Sequence, residues 1–197
     1  MRRAWLSLVA LTTLAAGCTT SAPASFDFPK PPSYPQLVAR AHLDRCPASS
    51  SAHTTHTLPD LTLPCLADGP AVHLSGLTGM PTVVNIWATW CGPCQAETRY
   101  LSTVYDDLHA KVRFLGVDTE DDAKSALDFA PHVTPPMRYP QVVDKSKRLL
   151  IALSLPSAVP TTVFVDAGGH VAHVSPGQYH SAAALRADIS RYLGVSS

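Results

Sequence analysis

The sequence predicts an α/β fold: a central mixed β-sheet flanked by helices, with an N-terminal extension. Three observations carry this expectation. An apolar run at 83–87 reads as a buried strand, and a helical pattern follows it to about residue 110. A second strand-like run at 112–118 is followed by another helical stretch at 120–130, the order expected of a parallel pair. Runs at 163–166 and 171–174 flank the turn Ala167-Gly168-Gly169-His170 and read as an antiparallel hairpin before a last helix.

The chain has 197 residues, enough for one domain once a leader is removed, and 46% hydrophobic residues supply a real core. Fifteen basic residues balance fifteen acidic ones, so nothing points to nucleic acid. Arg2 and Arg3 precede an apolar stretch at 4–16 that is too short for an ordinary membrane-spanning helix. Leu14-Ala15-Ala16-Gly17-Cys18 then resembles a bacterial lipoprotein cleavage box, with Leu one place further back than usual. Cys18 would be the lipidated residue, anchoring the protein on the outer side of a bacterial cell membrane. The alternative is ordinary secretion with Cys18 left free. The chain thus divides into a signal peptide at 1–17, a lipidated Pro-rich tether at 18–35, an N-terminal extension at 36–57 and the folded domain at 58–197.

Taken in order, 37–44 is a short helix ahead of Cys46-Pro47, and the Ser/Thr-rich stretch 48–57 is a loop. His53 and His56 within it lack the further ligands a metal site needs. Residues 58–66 form an extended lead-in, 71–74 a strand and 76–79 a turn into the central strand. After the 120–130 helix, Pro131, Pro135 and Pro136 stop the chain; 139–143 is extended and 145–153 helical. The last helix spans about 181–193, with Ala184, Leu185, Ile189, Tyr192 and Leu193 on its apolar face.

The chemistry centres on Cys91-Gly92-Pro93-Cys94, placed between a strand and a helix. A cysteine at a helix N-terminus is favoured as a thiolate by unpaired backbone N–H groups. A second cysteine one turn further in can close a disulfide with it, and the strand–C-x-x-C–helix context points to a redox centre, an inert structural disulfide being the alternative. No second C-x-x-C completes a zinc site, and Gln95 stands where haem attachment needs histidine.

These residues resemble the TlpA/ResA-like extracytoplasmic thiol–disulfide oxidoreductases, which have a thioredoxin-like fold. The resemblance rests on V-V-N-I-W-A-T-W-C-G-P-C at 83–94, Glu97, V-P-T-T-V-F-V-D at 159–166 and G-G-H-V at 168–171, and it covers roughly 58–193. It implies that Cys91 is the exposed nucleophile and Cys94 the resolving thiol. Pro160 matches the family's cis-proline beside the dithiol, with Val159 presenting backbone groups to an extended substrate. Asn85 stands where thioredoxin has a buried, titratable aspartate; the family instead places a glutamate where this chain has Glu97. Glu97 shares a helical face with Cys94 and could relay protons, or could be a solvated helix charge. Trp90 would form an apolar wall near the thiols, Gly92 would admit substrate, and Pro93 would start the helix.

The resemblance implies a membrane-anchored reductant of protein disulfides, supplied with electrons by a membrane thiol-reducing system. Apocytochrome c is the substrate the family suggests. The expected protein is a monomer needing no organic cofactor and no metal. Reductases and oxidants share these motifs, so a thiol oxidant serving secreted proteins is the alternative. The Pro-x-x-x-Thr/Ser-x-x pattern of a peroxiredoxin is absent before Cys91. A non-enzymatic binding module would not need Cys91 and Cys94.

With Cys18 assigned to lipid and Cys91 and Cys94 to catalysis, Cys46 and Cys65 remain. In a compartment where disulfides persist, they are expected to pair and pin the extension to the domain. Two free thiols, or a second redox pair relaying electrons to the first, are the alternatives.

Overall fold

The computed structural model describes residues 31–50, 58–155 and 159–196. The expected signal peptide, the Cys18 lipidation site, most of the tether, and His53 with His56 lie outside the described residues. In chain order the elements are α1 (Tyr34–Ala41), β1 (Thr62–Leu63), β2 (Val72–His73), β3 (Thr82–Trp87), α2 (Gly92–Leu108) and β4 (Arg113–Thr119). There follow α3 (Ala123–Phe129), β5 (Gln141–Asp144), α4 (Arg148–Ala152), β6 (Thr161–Val165), β7 (Val171–Pro176) and α5 (Ala182–Leu193).

The mixed sheet forms as expected, in the order β5-β4-β3-β6-β7, with β1 and β2 paired separately. β3 lies at the centre, parallel to β4 and antiparallel to β6. Alternation along the strands sends side chains to two layers. Val83, Trp87, Phe114 and Phe164 pack with Leu101 and Val104 of α2 and with Leu185 and Ile189 of α5. Val84, Ile86, Leu115, Val117, Val163 and Val165 pack on the other face with Leu149 and Leu150 of α4. Each such side chain, fully buried, contributes roughly 1.5–3 kcal/mol of transfer free energy.

Several boundaries differ from those expected, for local reasons. α1 starts three residues early, which shortens the tether: Ser33 is its N-cap and Pro35 falls in the first turn, where a missing N–H costs nothing. Gln36 Oε1 accepts the Ser33 N–H at 2.8 Å. His42, in the left-handed conformation, ends the helix. α3 starts only after Asp122, whose carboxylate accepts the Lys124 N–H at 3.2 Å. Pro131 does not stop the chain outright; it sits in a 3-10 turn over Ala130–His132. α4 is shorter than expected because Lys147 is left-handed and the buried Asp144 carboxylate takes the Leu149 N–H at 2.9 Å. The hairpin turn holds as expected, with Gly169 at φ 91° and Asp166 accepting the His170 N–H.

The extension is joined to the sheet. Cys46 and Cys65 form a disulfide with Cα atoms 6.0 Å apart. Next to it, Cys65 bridges Val142 in antiparallel fashion. Leu66 N–H donates to Gln141 O, and Val143 N–H donates to Pro64 O. These residues cover the backbone groups that β5 would otherwise present at the sheet edge. Among the described residues no helix is long and apolar enough to cross a membrane.

Candidate active site

β3 ends at Trp87, and the chain turns through Ala88–Trp90 into α2 with Cys91 as N-cap. Cys91 and Cys94 are joined as a disulfide, their Cα atoms 5.2 Å apart. The Cys94 N–H donates to Cys91 Sγ at 3.2 Å. In the reduced protein the same N–H and the helix dipole would favour a Cys91 thiolate. Cys94 is fully buried while Cys91 keeps 5% exposure, so Cys91 is the less buried of the two residues. The Val159–Pro160 peptide bond is cis, and the Val159 carbonyl oxygen lies 3.5 Å from Cys91 Sγ. Pro160 offers no N–H there. A Cβ built on Gly92 meets nothing within 4 Å, so the space beside the dithiol is open.

Glu97 is not a solvated charge. It is fully buried, its Oε1 accepting from Asn85 Nδ2 at 2.8 Å and its Oε2 from the Tyr179 N–H at 2.9 Å. Asn85 Nδ2 also approaches Thr162 Oγ1 on β6 at 3.5 Å. Burial pushes the Glu97 carboxyl up to about 7, against the two hydrogen bonds, which lower it. Burial and the Glu97 carboxylate both raise the fully buried Tyr139 phenol. Trp87 belongs to the core, where its indole N–H donates to Gln141 Oε1 at 2.9 Å. Gln141 reaches this position because Gly116 leaves room: a Cβ there would lie 1.9 Å from the Gln141 amide oxygen.

Trp90 is 58% exposed, and its indole N–H donates to Glu120 O at 3.0 Å. The same loop holds the residue before it: Asp121 accepts the Thr89 N–H at 2.5 Å. Gln95 closes the turn by donating to Thr89 O. Below this loop lies Asp118 at the end of β4. It is fully buried, and among the described residues neither carboxylate oxygen has a partner in good hydrogen-bond geometry, Asp121 being the nearest candidate. Burial, then the like charge and close side-chain approach of Asp121 and the charge of Asp122, push its carboxyl up to about 8, while Lys145 lowers it.

The structure therefore brings Cys91, Cys94, Val159 and Pro160 together, with Asn85 and Glu97 as a buried pair on β3 and α2. Cys46 and Cys65 belong to the β5 edge instead. Sequence reasoning missed the Tyr179 N–H, Asp118, Asp121 and a second cis bond at Thr134–Pro135. One signal was available for the aspartates. Residues 88–91 and 120–122 follow the carboxyl ends of neighbouring parallel strands, and Asp118 lies at the end of the second, where α/β sheets gather their sites. Among the described residues no group of three His, Cys, Asp or Glu side chains could hold a metal ion.

The sequence matches the Redoxin family over residues 53–189. The chain belongs to the redoxin family. Within it, this redoxin is a thioredoxin-fold protein of the ResA-like thiol–disulfide oxidoreductase group. It is 30% identical over 138 residues to the thiol-disulfide oxidoreductase ResA of Geobacillus kaustophilus, spanning 70% of this chain and 74% of that one. It is 28% identical over 111 residues to ResA of Bacillus subtilis, spanning 56% of this chain and 60% of that one. Among solved structures it is similar to DsbF of Mycobacterium tuberculosis in mixed oxidised and reduced forms. That likeness has a TM-score of 0.61 and 26% identity over 72% of this chain and 99% of the other. A disulfide-forming cysteine pair in a redoxin fold is the equipment of thiol–disulfide exchange.

Proposed function

We propose that this redoxin reduces protein disulfides through Cys91 and Cys94 while anchored by a lipid on Cys18 to the outer face of a bacterial cell membrane. The observation that carries the reading is a dithiol whose less buried cysteine sits at a helix N-terminus, beside the Val159–Pro160 backbone. The Cys91 thiolate attacks one sulfur of the target disulfide. A Cys91–target bond forms, and the other target sulfur leaves as a thiolate that takes up a proton. The Cys94 thiolate then attacks Cys91 Sγ, forming the Cys91–Cys94 disulfide and releasing the second target thiol. Two electrons pass to the target, and a membrane thiol-reducing partner must return them. Apocytochrome c, whose cysteines must be free for haem attachment, is the substrate class proposed. The Pro-rich tether gives the domain its reach from the membrane.

Trapping tests this directly. Cys94→Ser keeps the attacking sulfur and removes the resolving one, so covalent partners should accumulate on Cys91 and disappear in Cys91→Ser/Cys94→Ser. Partners independent of Cys91 would end the assignment. Direction is read from the reduction potential: a value near or below about −270 mV fits a reductant, and one near about −120 mV fits the oxidant reading.

Glu97 is proposed to exchange the proton of Cys94. A buried carboxyl with a pKa near 7 can do so at neutral pH. Glu97→Gln keeps the shape and removes the titration. Its resolution step should slow about tenfold near pH 7 and lose the inflection that Glu97 contributes. Stopped-flow release of a trapped thiol across pH 5–9 would show it; superimposable profiles would remove Glu97 from the proton path.

A further inference from the structure

An open groove of about 510 Å³ lies along the exposed side of α2, beginning at Gly92 next to Cys91. Gly92, Gln95 and Arg99 line it from the helix, and Phe129, His132 and Val133 from the segment after α3. Its charge is one-sided. Arg99 donates to Tyr100 Oη at 2.8 Å and lies over that ring at 4.7 Å, with no carboxylate partner among the described residues. His132 Nδ1–H donates to the Asp128 carbonyl at 2.6 Å, which leaves Nε2 for another group. The Asp128 carboxylate is taken by Arg40 at 2.9 Å. No acidic side chain lines the groove. Phe129 and Val133 supply its apolar part.

We propose that this groove binds the polypeptide flanking the target disulfide and selects segments carrying an acidic side chain beside apolar ones. The inference rests on Cys91 being the attacking sulfur. A target cysteine bonded to Cys91 has its neighbouring chain beside Gly92, where no side chain blocks it. From Cys91 to Arg99 is about 12 Å along the helix at roughly 1.5 Å per residue. An extended chain covers that distance in about three to four residues. The acidic residue recognised therefore sits about three to four positions from the target cysteine. Arg99 is a specificity-determining residue here, because its guanidinium is exposed, lies over the Tyr100 ring and has no carboxylate partner among the described residues.

The test uses the reduced protein and three peptides, each with one internal disulfide and Glu, Gln or Lys four positions outside its first cysteine. The second-order rate constant for oxidation of Cys91–Cys94 by each peptide is measured at low salt. The Glu peptide should react about fivefold faster than the Lys peptide, the size of one or two partly exposed charge pairs. Arg99→Glu should invert that ratio, and Arg99→Lys should keep its direction. High salt should flatten it. Equal rate constants for Glu and Lys peptides, or an unchanged ratio in Arg99→Glu, would overturn the groove's selectivity while leaving the reductase reading in place. If no peptide oxidises the dithiol, the reductase reading falls and the groove's role falls with it.

Discussion

Replacing Cys46 and Cys65 together by serine is expected to lower the unfolding free energy by about 3 kcal/mol. Their bond closes a loop of sequence separation 19, and opening it returns that conformational freedom to the unfolded chain. The native state loses a tether as well. Cys65 lies between Pro64 and Leu66, the two residues that hydrogen-bond along β5, so the covered sheet edge depends on the same linkage. Urea unfolding of both proteins, with Cys91–Cys94 kept oxidised, measures the difference. A coincident midpoint would sink the structural role. Graded reduction separates this from a relay. Cys46–Cys65, tied into the β5 edge by the hydrogen bonds of Pro64 and Leu66, should persist under conditions that open Cys91–Cys94. Equal reducibility with electron exchange between the pairs would mark a relay instead.

Asp118→Asn is expected to make the protein more stable above neutral pH. The sign follows from burial. Asp118 titrates near its ordinary value, 3.8, in the unfolded chain, but near 8 in the folded one. Stability associated with the protonated folded form is complete below pH 3.8 and is lost as pH rises through 8. Each unit of that shift corresponds to about 1.4 kcal/mol, and an Asn amide in the same place loses about 1–3 kcal/mol where its own groups stay unpaired. The net expected gain at pH 8 is on the order of 2 kcal/mol. Glu97 acts in the same direction over a narrower window inside that of Asp118, from 4.5 to about 7, so the variant should keep only the Glu97 part of the slope there. Urea titrations at pH 5, 7 and 8.5 give the result. Parallel pH dependences in the two proteins would mean that Asp118 is solvated or paired in solution.

Much of the fold is legible from pattern alone. The apolar run at 83–87, the two strand–helix units and the Gly168-Gly169 turn are local signals, and each became the element expected. Boundaries shifted where side chains far away in sequence, or positive-φ residues, decided them. Asp121 turns back to Thr89 and delays α3, and Asp144 caps α4 from the end of β5. The site divides the same way. Cys91 and Cys94 are readable because their spacing is their function. Helical spacing placed Glu97 on the face of Cys94, but not its burial, which comes from Asn85 on β3 and from the backbone before α5. Asp118 looks from sequence like the polar end of a strand; only the packing of the Asp121–Asp122 turn over it shows a carboxyl shut away from water.

The position of β3 has a consequence for how the two thiols become reachable in time. β3 is hydrogen-bonded along both sides, to β4 and β6, and it leads directly into the dithiol turn. Strands held in this way belong to the last cooperative unit to open, so local fluctuation does not free them. Cys91 and Cys94 both belong to the core cluster of β3 and α2, but Cys94 is fully buried where Cys91 keeps 5% exposure. Its slow modification in the reduced protein therefore counts openings of the whole domain, whereas modification of Cys91 proceeds from the closed native state. The two sulfurs of one reaction centre keep separate clocks, one set by chemistry and the other by the free energy of folding.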